Sequence, residues 1–335
     1  MLSNKNKWGA VHLCSALFCC IILQLENAAA LLFPAGNLPM KNERGESEMN
    51  IKITEESDKK VVVFKTVGER ELVADLYPPL SSAGKSPVFF YFHGGGWKNG
   101  SKSEPLIFAS LIDRLRADGV TLISVGYRRT RDGLLFPVPV DDCIDAVRFF
   151  VKNAAFFGFD TEKLFAGGSS AGGHLALMTA FAQNCFGEDA ALKGLGYRIQ
   201  AVVDLCGPVD LNDAHVVRGQ KETEQILTDF LGDDRTARPE LLRRASPITY
   251  IRNCGREALM PIIAVHGTED ELVHHTQPLI LKEIYEQAEV PFELVYVENG
   301  AHAFTQVEGC PPPSIGYQEI QDRIYAFLKK HVLDA

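Results

Sequence analysis

Short, continuous apolar runs recur along this chain, separated by longer stretches with apolar residues at helical spacing. "VVVFKTV" (61–67) and "ELVADLYPP" (71–79) read as two strands joined at Gly68, an antiparallel start. The next runs are apolar almost without interruption: Val88 to Phe92, "VTLISVGYR" (120–128), "KLFAGG" (163–168), "IQAVVDLCG" (199–207), "MPIIAVHGTED" (260–270) and "PFELVYVENG" (291–300). A strand covered on both faces has no polar side to show, so continuous runs predict buried, parallel pairing. Between them, helical patterns are expected around 104–118, over 140–158, from Gly172 onwards, over 276–288 and over 315–331. The second has acidic residues in its first turn and Gly158 at its end, which suit the two poles of a helix. Strands alternating with helices predict an α/β fold: a mostly parallel central sheet with an antiparallel N-terminal start and helices on both faces. Functional residues of such a sheet lie just beyond the carboxyl ends of its strands.

Residues 31–60 break this regularity. They are polar, end in "TEESDKK", and read as an irregular segment ahead of a domain over 61–335. The first thirty residues differ again. Lys5 and Lys7 precede an apolar stretch from Trp8 to Leu25, and Ala28, Ala29 and Ala30 follow. A charged start, an apolar middle and small residues at the end predict a cleaved secretory leader over 1–30, and so a secreted or periplasmic protein. An uncleaved membrane anchor is the alternative. No later segment is apolar enough to span a membrane.

The chain has 335 residues, 46% hydrophobic and 23% charged, enough to bury a core. Its net charge of −9 argues against a nucleic-acid partner reached through a basic surface. Of eight cysteines, Cys14, Cys19 and Cys20 fall in the leader. Cys143, Cys185, Cys206, Cys254 and Cys310 remain, an odd number that cannot all pair within one chain. Neither CxxC nor a Cys/His ligand spacing occurs, so no metal site is expected. Asn99-Gly100-Ser101 matches the pattern for N-glycosylation.

The chemistry gathers after the strands. Beyond "KLFA" come Gly167-Gly168-Ser169-Ser170-Ala171-Gly172-Gly173. Only Ser170 has glycine two residues away on both sides, the G-x-S-x-G frame of a sharp strand-to-helix turn that presents a nucleophilic hydroxyl. A purely structural turn, or a phosphate cradle, competes with this on the stretch alone; no GxxxxGK[ST] is present to favour phosphate.

A serine hydroxyl needs a base to take its proton, and the base needs a carboxylate to orient it. For a nucleophile of this kind the chain order is Ser, acid, His. "TED" follows the run 260–267 and makes Asp270 the candidate acid, with Glu269 and Glu271 as alternatives. "GAHAF" follows the run 291–298 and makes His302 the candidate base. "HGGGW" (93–97) follows the run 88–92 and is placed to supply an oxyanion hole, with the N–H groups of Gly95, Gly96 and Ala171 as donors. His93 and Trp97 are expected to brace that loop.

"FHGGGW", "GGSSAGGH", "HGTEDELV" and "GAHAF" together resemble the α/β-hydrolase superfamily, and within it the esterase/lipase branch with an HGGGW motif. That branch includes hormone-sensitive-lipase-like carboxylesterases and bacterial feruloyl- and acetyl-xylan-esterase-like proteins. "GYRR" (126–129) and "DDCIDAVRFF" (141–150) look like it too, and imply a structural pair between Arg128 and Asp142. The resemblance implies a serine esterase that needs no cofactor and acts on a small-molecule or carbohydrate-linked ester. An amidase, formamidase or small peptidase uses the same triad. A catalytically silent module built on this fold is the alternative of another class. Hormone-sensitive-lipase-like enzymes carry a large N-terminal cap, and this chain has only the segment 31–60 there. A small lid is expected instead from the insertion 211–248, with "ETEQILTDFLGDD" as one short helix. Nothing in the pattern indicates the oligomeric state.

Overall fold

Nine strands form one sheet in the order β1-β2-β3-β5-β4-β6-β7-β8-β9. They are β1 (Ile53–Glu55), β2 (Lys60–Val67), β3 (Arg70–Tyr77), β4 (Ser86–Phe92), β5 (Thr121–Val125), β6 (Phe159–Ser169), β7 (Ile199–Leu205), β8 (Ile262–Gly267) and β9 (Phe292–Val297). The pairs β1–β2, β2–β3 and β3–β5 are antiparallel. All pairs from β5 through β4 to β9 are parallel. The computed structural model describes residues 51–81, 84–104, 108–213, 221–233 and 238–334. They belong to one unit over residues 51–335. The expected leader, with Cys14, Cys19 and Cys20, lies outside the described residues. No helix among the described residues is long and apolar enough to cross a membrane.

The continuous apolar runs have a direct cause. Along β4, Val88, Phe90 and Phe92 enter the core on one face of the sheet, while Phe89 and Tyr91 enter the core on the other. A strand with two buried faces has no solvent side, so the period-two alternation of polarity disappears from its sequence.

Nine α-helices are described: α1 (Ala109–Ala117), α2 (Val138–Lys152), α3 (Ala154–Phe157), α4 (Ala171–Phe181), α5 (Lys221–Leu231), α6 (Pro239–Arg244), α7 (Pro247–Asn253), α8 (Gln277–Ala288) and α9 (Tyr317–Leu328). α1 and α9 help cover one face; α2, α4 and α5 cover the other. Every residue of α4 from Ala171 to Ala180 is buried, so it is apolar all round rather than amphipathic.

Three expectations change. Residues 31–60 read as irregular, but Ile53–Glu55 within them form β1, paired with Val62 to Lys60. Ile51 and Ile53 pack on the core, while Thr54 and Glu55 stay exposed. A three-residue edge strand with one apolar position leaves almost no pattern, and its shortness suits an edge. The helix expected over 140–158 divides at Asn153 into α2 and α3, and Gly158 ends α3 in the left-handed region at φ 73°. The insertion holds more than one helix: α5, α6 and the start of α7. α5 buries Leu227, Phe230 and Leu231, and Phe230 stacks on Trp97 at 4.0 Å, so this segment is tied to the core.

Arg128 grips Asp142 through two bonds of 2.8 Å, the arrangement the resemblance implied. Lys65 on β2 joins the same group, 2.8 Å from each of Asp142, Asp145 and Glu188. Buried charges persist only when paired and hydrogen-bonded in this way.

Candidate active site

The sequence forces a sharp turn where β6 becomes α4. Ser170 stands between them at φ 54°, ψ −118°, a conformation that a non-glycine residue holds only when its surroundings enforce it. The enforcement is visible. Ser170 N–H donates to Leu205 O on β7 at 2.7 Å. The flanking glycines lie against the end of β4: a Cβ on Gly168 would sit 2.3 Å from Phe92 O, and one on Gly172 only 1.9 Å from it. Nothing larger than hydrogen fits, so β4, β6 and α4 meet with backbone touching backbone.

Asp270 follows β8 and is buried at its tip. Its Oδ1 accepts the N–H groups of Leu272 and Val273, each at 2.9 Å. Its Oδ2 lies 2.7 Å from His302 Nδ1. A carboxylate can only accept, so in the neutral imidazole Nδ1 carries the proton and Nε2 is left with a lone pair. That Nε2 lies 2.9 Å from Ser170 Oγ. Glu269 and Glu271 are exposed on either side, which separates them from Asp270. His302 sits in the loop after β9, where Asn299 and Ala303 take positive φ. Tyr317 Oη on α9 ties this loop down by donating to Ala303 O at 2.6 Å.

The charges follow from these contacts. Burial alone would raise Asp270, but His302 and His266 hold its carboxyl well below the usual carboxylate range. Burial works against a charged His302; the adjacent Cys206 sulfur and the Asp270 carboxylate outweigh it and raise the imidazole well above 6.5.

The loop His93–Trp97 runs beside Ser170, with Gly95 at φ 104° and Gly96 at φ 59°. Gly95 turns its carbonyl away to accept Lys98 N–H at 3.1 Å and Asn99 N–H at 2.8 Å. A Cβ on Gly95 would lie 2.5 Å from Asn99 O. Among the described residues, the N–H groups of Gly95 and Gly96 meet no protein acceptor. Ala171 opens α4, where the first N–H groups of a helix lack intrahelical partners. His93 and Trp97 brace the loop from behind. Tyr127 stacks on His93 at 4.2 Å and donates to His93 O at 2.9 Å. Trp97 Nε1–H donates to His174 Nδ1 at 3.2 Å. Burial lowers His93 and His174 each to about 4, so both act as neutral spacers.

Two neighbours of the site left no signal in the sequence. Cys206, in left-handed backbone at φ 48° after β7, is a buried thiol beside His302. Cys206, Asp270 and His302 each offer one ligand atom within 4.8 Å of the others. Two of those residues are already engaged in the Ser170 relay, so a cation there would compete with it. The second is Glu104, which bonds to Gly94 and Ser169. All five described cysteines are free thiols.

A mostly parallel sheet covered on both faces, with a serine on a strained strand-to-helix turn and an acid and a histidine after two later strands, defines an α/β-hydrolase fold. Residues 74–285 match the BD-FAE family, and the chain belongs to it. It is 27% identical to esterase LipQ of Mycobacterium tuberculosis over 214 residues, 63% of this chain and 48% of that protein. It is 34% identical to arylacetamide deacetylase of Oryctolagus cuniculus over 128 residues, 37% of this chain and 31% of that one. The chain thus spans about half of the first relative's length and a third of the second's. A propionate-bound esterase of Thermogutta terrifontis superposes with a TM-score of 0.64 at 26% identity, covering 82% of this chain and 94% of that one.

Proposed function

We propose that this protein is a serine hydrolase of carboxylic esters. The observation that carries the reading is the relay of 2.9 Å from Ser170 Oγ to His302 Nε2 and 2.7 Å from His302 Nδ1 to Asp270. His302 takes the Ser170 proton as Oγ attacks the ester carbonyl. Asp270 holds the imidazole in the needed tautomer and stabilises it once charged. The N–H groups of Gly95, Gly96 and Ala171 receive the oxyanion. His302 then protonates the leaving alcohol, and the same residues pass water to the acyl-enzyme to release the acid.

The proposed substrate carries a short acyl group, of the acetyl or feruloyl type, on a larger alcohol. Support comes from the BD-FAE membership and from the propionate-bound neighbour. α5 forms a small lid in this reading: Ile226 packs on the oxyanion loop beside Gly96, and Thr223 bonds to Leu272 O at 3.2 Å, next to the acid. The likeness to arylacetamide deacetylase favours amide cleavage as the second reading. A silent module has no use for an intact relay. Secretion or periplasmic residence, through the 1–30 leader, belongs to the same proposal.

A p-nitrophenyl ester series from acetate to decanoate tests it. Hydrolysis is expected to be fastest on the short acyl chains. Full inactivity of folded protein on every chain length, with cleavage of p-nitroacetanilide, would replace the esterase by the amidase.

The pH dependence follows from the raised imidazole. His302 must be neutral to accept the Ser170 proton, and its pKa lies above 6.5. The acid limb of kcat/KM is therefore expected on the alkaline side of 6.5, with activity rising as pH climbs through it. A pH–rate profile with its acid limb below that value would contradict the environment assigned to His302.

A further inference from the structure

Glu104 stands between the two halves of the site. Its Oε2 accepts Gly94 N–H at 2.5 Å, and Gly94 begins the glycine run of the oxyanion loop. Its Oε1 accepts the hydroxyl of Ser169 at 2.5 Å, and Ser169 is the residue before the nucleophile. Tyr91 Oη, on the strand leading into that loop, donates to Oε1 at 3.2 Å. Glu104 N–H in turn donates to Ser101 O at 3.0 Å, which holds the residue against the loop's far end. Among the described residues, the three groups that meet the side chain are all donors, and an ionised carboxylate, which only accepts, satisfies all of them. The loop and the turn also touch directly: a Cβ on Gly94 would lie 2.8 Å from Ser169 O.

We propose that Glu104 is a positioning residue whose carboxylate ties the oxyanion loop to the nucleophile turn and so sets the distance between the Gly95 and Gly96 N–H donors and Ser170 Oγ. The assignment rests on the ester-hydrolase reading above. Gly94 N–H bound to Oε2 fixes the peptide plane from which Gly95 departs. Ser169 Oγ bound to Oε1 fixes the residue from which Ser170 departs. One rigid, planar group, itself 65 residues from Ser169 in sequence, thus references both reacting surfaces to each other. Charge supports the same role. Burial is the larger effect and leaves the carboxyl above its ordinary 4.5; the bonds from Ser169, Gly94 and Tyr91 and the nearness of His302 limit that rise. The titratable groups that face Glu104 are Tyr91, Tyr127 and His302. Burial raises both tyrosines well above 10.0, so they stay neutral and His302 is the one that changes charge. Because the attraction is mutual, the Glu104 carboxylate favours the imidazolium formed during reaction.

The test uses Glu104→Gln and Ser169→Ala in the full chain, with p-nitrophenyl butyrate, a fluorophosphonate titration of reactive serine, and a melting curve. Glutamine keeps the size but offers a single acceptor oxygen, so the three donors cannot all be met. Glu104→Gln is expected to lower kcat roughly 10- to 100-fold with KM nearly unchanged, the order that a misplacement of about 1 Å carries. Its acid limb is expected to move to lower pH, because His302 loses a negative neighbour. Ser169→Ala is expected to lower kcat in the same way by a smaller factor, and it decides the matter should the glutamine variant not fold. A glutamine variant with unchanged kcat and an unshifted acid limb overturns the proposal. So does a loss of kcat that merely follows the fraction of folded protein. A wild-type protein that neither hydrolyses the ester nor takes up the fluorophosphonate overturns the ester-hydrolase reading instead, so the two failures are distinct.

Discussion

Replacing Ser170 by alanine is expected to lower kcat on p-nitrophenyl butyrate by about a million-fold, the scale seen when a triad nucleophile is removed elsewhere. The size follows from the chemistry. In the proposed mechanism Ser170 Oγ is the atom to which the acyl group transfers, and it lies 2.9 Å from His302 Nε2. In the same mechanism the residual rate is expected from the N–H groups of Gly95, Gly96 and Ala171 acting on water. Stability should hardly change. Ser170 is half-buried, its hydroxyl bonds only to a histidine whose side chain is 20% exposed, and water can take its place there. Alanine also tolerates the φ of 54° no worse than serine does. Asp270→Asn should cost about 10⁴ in kcat, since an amide facing Nδ1 favours the wrong tautomer. Steady-state kinetics beside a denaturation curve separate these effects from unfolding.

Gly172→Ala is expected to have the largest effect on the fold. Its Cβ would lie 1.9 Å from Phe92 O, 2.8 Å from Phe92 C and 2.9 Å from His93 C. All three are backbone atoms at the end of β4, between β5 and β6 in the middle of the sheet. No side chain can rotate away, so either α4 shifts off the sheet or β4 breaks its pairing with β6. The loss should exceed about 4 kcal/mol, the range reserved for overpacked cores and lost networks. Gly196→Ala is the control. Gly196 is exposed, lies outside any helix or strand and has nothing within 4 Å of its Cβ position, so the change should alter stability by about 0.5 kcal/mol or less. Urea melts of both variants check this, and a Gly172→Ala protein as stable as wild type would contradict the close packing of β4, β6 and α4.

Much of this arrangement was legible before any coordinates because the site is built from strand ends. Buried parallel strands announce themselves as apolar runs, and the residues after "KLFA", "MPIIAV" and "FELVYV" stand out against them. The structure brings Ser170, Asp270 and His302 together for that reason. What stayed hidden depends on tertiary contact. Glu104 looked like the start of a helix that in fact begins at Ala109. Its partners Tyr91, Gly94 and Ser169, the last 65 residues away, are set around it by tertiary contact. Cys206 looked like a thiol that might pair with another, and only the convergence of β7 and β9 ends sets it beside His302. β1 was too short to carry a period. The second helix of the insertion, α6, is six residues long, and shows the same limit.

The most direct test of the central claim is a fluorophosphonate reaction followed by intact mass and peptide mapping. One adduct per chain is predicted, on Ser170, absent from Ser170→Ala and slowed at acid pH, where His302 is charged. No adduct on folded protein, or an adduct on Ser169 that persists in Ser170→Ala, would contradict it.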